Sequence, residues 1–255
     1  MIIRTAQIRV LEQASVDNFV LEICEHCKEF APGLVEPMSD EELVEAVRHG
    51  MERAETYGFD KRGPVRFFID MMISFGTGFD TDPQYPWAAE ILSRHGEMEQ
   101  MALSDELHAK SMDAFNIVFG PDNETSKRSI RQMMDRIEGG IQFKRDNFRQ
   151  EMLILLKDIH PLKFDLVGED ALSTLIDQAI ARGRDRYGFK APRSMALMVM
   201  LMFALGHKFD QDRFHPWVSH TLQGEPPENP DDLAVMLERR ALTWFKVAAD
   251  GKKEG

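Results

Sequence analysis

The chain has 255 residues, 43% of them hydrophobic and 29% charged, and a formal net charge of -12 at pH 7. That length supports one large domain or two small ones around a buried core, and the composition is that of a soluble globular protein. So large an acid excess repels phosphate, which excludes a generic nucleic-acid or anionic-membrane binder and leaves solubility or a basic protein partner as its use.

The opening segment, MIIRTAQIRVLEQ, has neither a continuous apolar core nor a small-residue cleavage site. No signal peptide is expected, and the protein reads as cytoplasmic. The stretch ICEHCKEF (23–30) holds the only two cysteines, Cys24 and Cys27, with His26 between them. Two cysteines so close make no disulfide framework, in keeping with a reducing compartment. C-x-x-C is half of a zinc site, but there is no second pair. Phe19, Val20, Ile23, Cys24, Cys27 and Phe30 recur at helical spacing, so the thiols read as small buried packing groups.

Further along, Ser39 followed by Glu42 matches a capping box, opening a helix to about Tyr57 on Leu43, Val47, Met51 and Ala54. Pro64 suits the first turn of the next helix and Gly76 its stop. The G-x-G of Gly76, Thr77 and Gly78 follows a helix rather than a strand and so lacks the setting of a phosphate loop. FDTDPQYPW is a turn, from which Pro86 starts a short helix bearing Trp87. Its Asp80 and Asp82, like Asp210 and Asp212 later on, form a D-x-D pair attractive to a hard cation. A pair is far short of the roughly six to eight oxygens calcium takes, so these aspartates are expected to cap backbone amides.

A polar joint is expected at GPDNETSKRS (120–129). Met195 to Leu205, MALMVMLMFAL, is about half the length of a membrane span and reads as a core helix. Its Met195, Met198, Met200 and Met202 are alternatively an adaptable binding surface. His207, His215 and His220 lie near Asp210 and Asp212, yet their spacing matches no metal motif, so solvated or locally bonded histidines are expected. The acidic stretch GEPPENPDD (224–232) precedes a last helix opened by Asn229 and Pro230 and running to about Ala248. Alternating β-branched runs are absent, so the fold class is all-α, with four or five helices per repeat unit. Neither a nucleophile elbow, a zinc-protease helix nor a phosphate loop occurs, so no catalytic residue, cofactor or metal is expected.

An internal repeat organises this pattern. Residues 57–92 align without a gap on 187–222 at an offset of 130, with 11 of 36 positions identical; ordinary composition gives roughly two by chance. Upstream the offset becomes 129, placing Cys24, His26 and Cys27 over Leu153, Leu155 and Leu156. Two tandem helical units are therefore expected, at 1–119 and 130–250, packed about a pseudo-two-fold axis as one bundle-like protein, since two copies are too few for a solenoid. A partner-specific surface is expected where the copies differ. Glu225, Glu228, Asp231 and Asp232 qualify, because the aligned stretch HGEMEQMA (95–102) has no proline and fewer acids. Alternatively, Asp231 and Asp232 merely complement the dipole of the last helix.

The strings IRTAQIRVLEQASVDNF, AVRHGMERAETYGF and FGTGFDTDPQYPWAAEIL follow the pattern I-R-x-x-Q, Y-G-[FI], F-D-x-D-P and P-W-x-x-I-L across residues 3–92. In this they resemble a family of small helical bacterial proteins encoded beside type VI secretion spike, PAAR and toxin genes. The second unit departs from the pattern, with Arg213 in place of the proline at Pro83 and IRQMM out of register. The resemblance implies an immunity or effector-associated role without catalytic residues. The first expectation is a non-enzymatic immunity protein that binds and neutralises a cognate toxin, basic if it is a nuclease. An adaptor or chaperone that loads an effector onto the spike is the alternative. An enzyme with a metal at His207, His215, Asp210 and Asp212 is the remaining class.

Overall fold

Prolines and caps punctuate the chain so closely that helix follows helix with little loop between. The computed structural model describes residues 5–140, 143, 147–225 and 227–250, with the side chains of 5–12 and 250 outside that description. Residues 1–4 of the first expected unit, 141, 142 and 144–146 of the second, and Pro226 of the acidic stretch lie outside the described residues. Among the described residues there is helix and no strand, so the chain is all-α. No single helix there is long and apolar enough to cross a membrane.

The first half contains α1 (Thr5–Phe30), α2 (Pro32–Val35), α3 (Asp40–Glu55), α4 (Arg62–Phe75), α5 (Pro86–Leu92) and α6 (Gln100–Val118). α7 (Glu124–Glu138) joins it to α8 (Phe148–Ile159), α9 (Pro161–Val167), α10 (Glu169–Tyr187), α11 (Pro192–Leu205), α12 (Pro216–Leu222) and α13 (Pro230–Asp250). Among the described residues the expected four or five helices per unit thus become six α-helices in each half. The extra ones, α2 and α9, begin at a proline that presets the helical φ, and are too short for apolar periodicity to mark them. The expected joint is also corrected. Only its first residues form a turn; from Glu124 it is helical, because Met133 and Ile137 make an apolar face that packs beside α13.

The capping box of α3 is formed on both sides: Glu42 N donates to Ser39 Oγ at 3.2 Å, and Ser39 N donates to Glu42 Oε2 at 2.8 Å. The buried apolar side chains fall into two clusters, one from Phe19 to Ala114 and one from Met133 to Phe245. Among the described residues Phe214 alone crosses over, packing in the first cluster. Cys24 and Cys27 are free and buried in that cluster, and burial pushes the Cys27 thiol up to about 12. They pack as apolar groups. His26 between them is tied to α4 by Nε2 lying 2.7 Å from Asp70 Oδ1. α11 is buried almost along its whole length, Met198, Met200 and Met202 included, so the methionine-rich helix is core.

Candidate functional site

The two halves meet where α4 and α11 end. Gly76 and Gly206 terminate these helices with nearly equal backbone angles, φ 93°, ψ 153° and φ 92°, ψ 158°. This conformation is essentially restricted to glycine. Here it also lets the two backbones touch: a Cβ on Gly76 would lie 2.3 Å from Leu205 O, and one on Gly206 2.9 Å from Phe75 O.

Around this contact the D-x-D aspartates are fully engaged. Asp82 Oδ2 accepts the His207 amide at 2.7 Å, and Asp212 Oδ2 accepts the Thr77 amide at 3.2 Å. Each aspartate thereby fastens the backbone of the opposite half. With its other oxygen each caps its own turn, Asp82 taking the Gln84 amide and Asp212 the Phe214 amide, both at 2.9 Å. Gln84 and Phe214, aligned at the offset of 130, both reach across. Gln84 Nε2 donates to Met202 O at 3.0 Å, while Phe214 fills the first core.

Amide capping was expected of all four aspartates, but Asp80 and Asp210 do something else. Each is buried against an arginine and a tyrosine of its own half. Asp80 pairs with Arg53 and accepts Tyr57 Oη at 2.6 Å; Asp210 pairs with Arg182 at 2.8 Å and accepts Tyr187 Oη at 2.7 Å. Burial, with the aspartate's hydrogen bond and charge, holds both phenols well above their usual range. A buried carboxylate held by a partly buried guanidinium and phenol is a strut for the turn, recurring in both halves.

Of the histidines expected to be solvated or locally bonded, His220 is solvated and His215 Nδ1 lies 3.4 Å from the nearby Asp212 Oδ2, whereas His207 Nε2 reaches Thr81 Oγ1 of the other half at 3.3 Å. His207 and His215 are buried and only His220 is exposed, 3.4 Å from Glu42 Oε1. Burial lowers the His207 pKa, favouring the neutral ring. Among the described residues no three His, Cys, Asp or Glu side chains are placed to hold a metal ion. His207, His215, Asp210 and Asp212 therefore make no metal centre there.

Beside this junction lies a cavity of about 470 Å³. Its floor and walls are mostly apolar: Ile73, Phe115 and Phe119 from the first half, Ile130, Met133, Phe203 and Trp244 from α7 and the second. Phe30, at the end of the α1 stripe, is 43% exposed at its edge instead of packing with the thiols. The polar lining includes Tyr85, His160, Lys163 and His215, with Ser74, Asn123, Ser126, Ser129 and Lys127, whose Nζ donates to Asp122 O at 3.0 Å and to Glu124 Oε1 at 3.2 Å. His160 is satisfied, with Nε2 3.0 Å from Val118 O and Nδ1 accepting the Lys163 amide at 3.1 Å. Lys163 is 3% exposed. Its Nζ donates to Phe203 O at 2.5 Å and sits 4.6 Å from the Phe203 ring centre and 5.5 Å from that of Tyr85. Burial lowers its pKa to about 8, with the more distant charge of Asp82 opposing.

The four acidic residues nominated from the sequence do not act alike. Glu225 and Glu228 are exposed, ahead of α13. Asp231 and Asp232 belong to its first turn, where Asp232 is exposed and accepts Asn229 Nδ2 at 3.2 Å. Asp231 caps α11, its Oδ1 accepting the amides of Lys190 and Ala191 at 3.1 Å each. Burial works to raise its pKa, but bonds from Ser194 and these amides prevail and hold it below the usual carboxylate range. In the first half Gln100 Oε1 does the same for the Asp60 and Lys61 amides, both at 3.0 Å. Sequence reading missed Lys163, His160 and Tyr85 altogether. The available signal was difference between the aligned stretches: at offset 129 Lys163 and His160 fall on Leu34 and Ala31, and at offset 130 Tyr85 falls on His215. Compared with protein family models, curated proteins and solved structures, the chain matches none.

Proposed function

We propose that this chain is a non-enzymatic binding protein that neutralises a cognate secreted toxin inside the cell that makes it. One observation favours binding over chemistry: the aspartates of both D-x-D motifs, with Arg53 and Arg182, are spent on internal struts and on the contact between halves. The exposed acids remain, including Asp40, Glu41, Glu225, Glu228 and Asp232, for a basic partner to meet. The type VI setting rests on the sequence resemblance to proteins encoded beside spike and toxin genes. A rigid helical scaffold suits such a role, because a pre-formed surface binds with little ordering cost.

The two halves, 1–119 and 130–250, we infer to be copies of one ancestral unit. Three observations support this. α4, the following turn and α5 recur as α11, its turn and α12 at an offset of 130. The strut of aspartate, arginine and tyrosine occurs in both halves. The two inter-half bonds of Asp82 and Asp212 are reciprocal.

The functional proposal predicts a toxin gene adjacent to this one, and is tested by expressing that toxin in a heterologous host with and without the chain. Rescue of growth and a stoichiometric complex with the C-terminal toxic region are expected. Arrested growth despite soluble chain refutes immunity, and binding confined to the toxin's N-terminal, spike-proximal region assigns the chain to an adaptor role.

A further inference from the structure

Lys163 offers an ammonium group with three donors at the wall of the cavity, and one of them is explained by the fold. The bond to Phe203 O satisfies a carbonyl in the last turn of α11, a place where a cation is favoured. Among the described residues the other two donors have no oxygen or nitrogen acceptor and face only the Phe203 and Tyr85 rings, both of which line the cavity. Among the described residues no carboxylate lies within ion-pair distance of it, and the acid acting on it is the more distant Asp82. Buried charges are ordinarily paired, and an amine that keeps its proton at neutral pH in such a place invites an anion. Packing does not require a lysine here, since the aligned position of the first half is Leu34, itself packed against that half's core. The volume of about 470 Å³ lies within the range of sites that enclose small ligands. Its apolar lining demands a molecule whose body is hydrocarbon.

We propose that this cavity is a binding site for an aliphatic monocarboxylate of medium chain length. Its carboxylate takes the two free donors of Lys163, and its chain lies along Ile73, Phe119, Ile130, Phe203 and Trp244. A flexible chain can follow a wall contributed by both halves. Because the site spans them, occupation also braces their contact. The proposal is independent of the toxin-binding reading and stands or falls separately.

The test compares decanoate, decanol and decyltrimethylammonium, each below its micelle concentration, by calorimetry and by the emission of Trp244, which lines the site. One saturable site is expected, taking decanoate at least about tenfold more tightly than decanol, the size of a charge-assisted hydrogen bond. The cationic probe should bind most weakly. Lys163→Met keeps the stem but removes the charge, and should abolish the preference for decanoate while leaving decanol binding within about twofold. Ile130→Trp should block all three probes. Equal affinities for the three head groups in the unmodified protein, or no saturable decanoate binding, overturn the proposal without any variant. An unchanged decanoate preference in Lys163→Met overturns the role of Lys163.

Discussion

Substituting alanine at Gly76 probes the contact on which the relation of the two halves depends. Its φ of 93° and ψ of 153° lie in a region that costs a residue with a Cβ about 1–3 kcal/mol. A steric term adds to this, because the new methyl would stand 2.3 Å from Leu205 O and 3.1 Å from Gly206 Cα. Both are backbone atoms of the other half and cannot rotate away. Relief requires the halves to part, which stretches the bonds from Asp82 to His207 N and from Asp212 to Thr77 N. Two strained buried hydrogen bonds cost about 1 kcal/mol each. The sum is about 4 kcal/mol, a large share of the roughly 5–15 kcal/mol that holds a typical domain folded. Gly206→Ala should cost about 3 kcal/mol, since its nearest contact, Phe75 O, is 2.9 Å from the added Cβ. Gly58 supplies the control: its φ is 73°, but nothing lies within 4 Å of a Cβ there, so alanine pays only the left-handed cost of about 1–2 kcal/mol. Urea unfolding at constant m-value measures all three. The double variant at 76 and 206 should cost less than the sum of the singles, because one parting of the halves relieves both clashes. If Gly76→Ala proves no worse than Gly58→Ala, the contact is not a tight one and the reasoning fails.

The lysine in the cavity makes a pH prediction of definite sign. Folded Lys163 loses its proton at about 8 and the unfolded residue at about 10.5, so between these values the unfolded chain binds more protons and stability rises with pH. Relative to Lys163→Met, which cancels every other titration, the unmodified protein should gain about 2–4 kcal/mol from pH 7 to pH 10.5; a difference that stays constant with pH contradicts the buried ammonium. Cys24 and Cys27 should resist a thiol reagent at pH 8 until the protein is unfolded, and their double replacement by alanine should cost about 1–3 kcal/mol while leaving partner binding intact. Rapid labelling of the native protein would place the thiols at the surface. Reversing Glu225, Glu228 and Asp232 to lysine should leave the melting temperature within a degree or two yet slow association with a basic partner. Asp231→Lys should lower stability by about 1–2 kcal/mol through loss of the cap on α11. Equal behaviour of the four in either assay argues against this division.

Composition and local pattern were enough for the all-α class, the helix starts at Ser39, Pro86 and Pro230, the stop at Gly76, and the burial of Cys24 and Cys27. Each of these depends on neighbours within a turn or two: a side chain reaching its own backbone, a ring that presets φ, an apolar stripe repeating with the helix. The roles of Asp82 and Asp212 were half legible. Their local caps follow from the turn, but the amides of His207 and Thr77 that they also hold lie 125 and 135 residues away. Polar spelling misled at 120–129, where the few apolar residues of α7 gain a helix its partner only once α13 lies beside it. Lys163 was invisible for the same reason. One lysine in PLKFDLV reads as a surface residue until the ends of α6 and α11 close over it, and desolvation by distant segments is a property no local window contains. Local sequence therefore decided which helices form and where they stop, because those energies are short-ranged. Tertiary packing alone decided which of the same residues became struts, which stayed exposed, and which became a buried charge at the wall of a cavity.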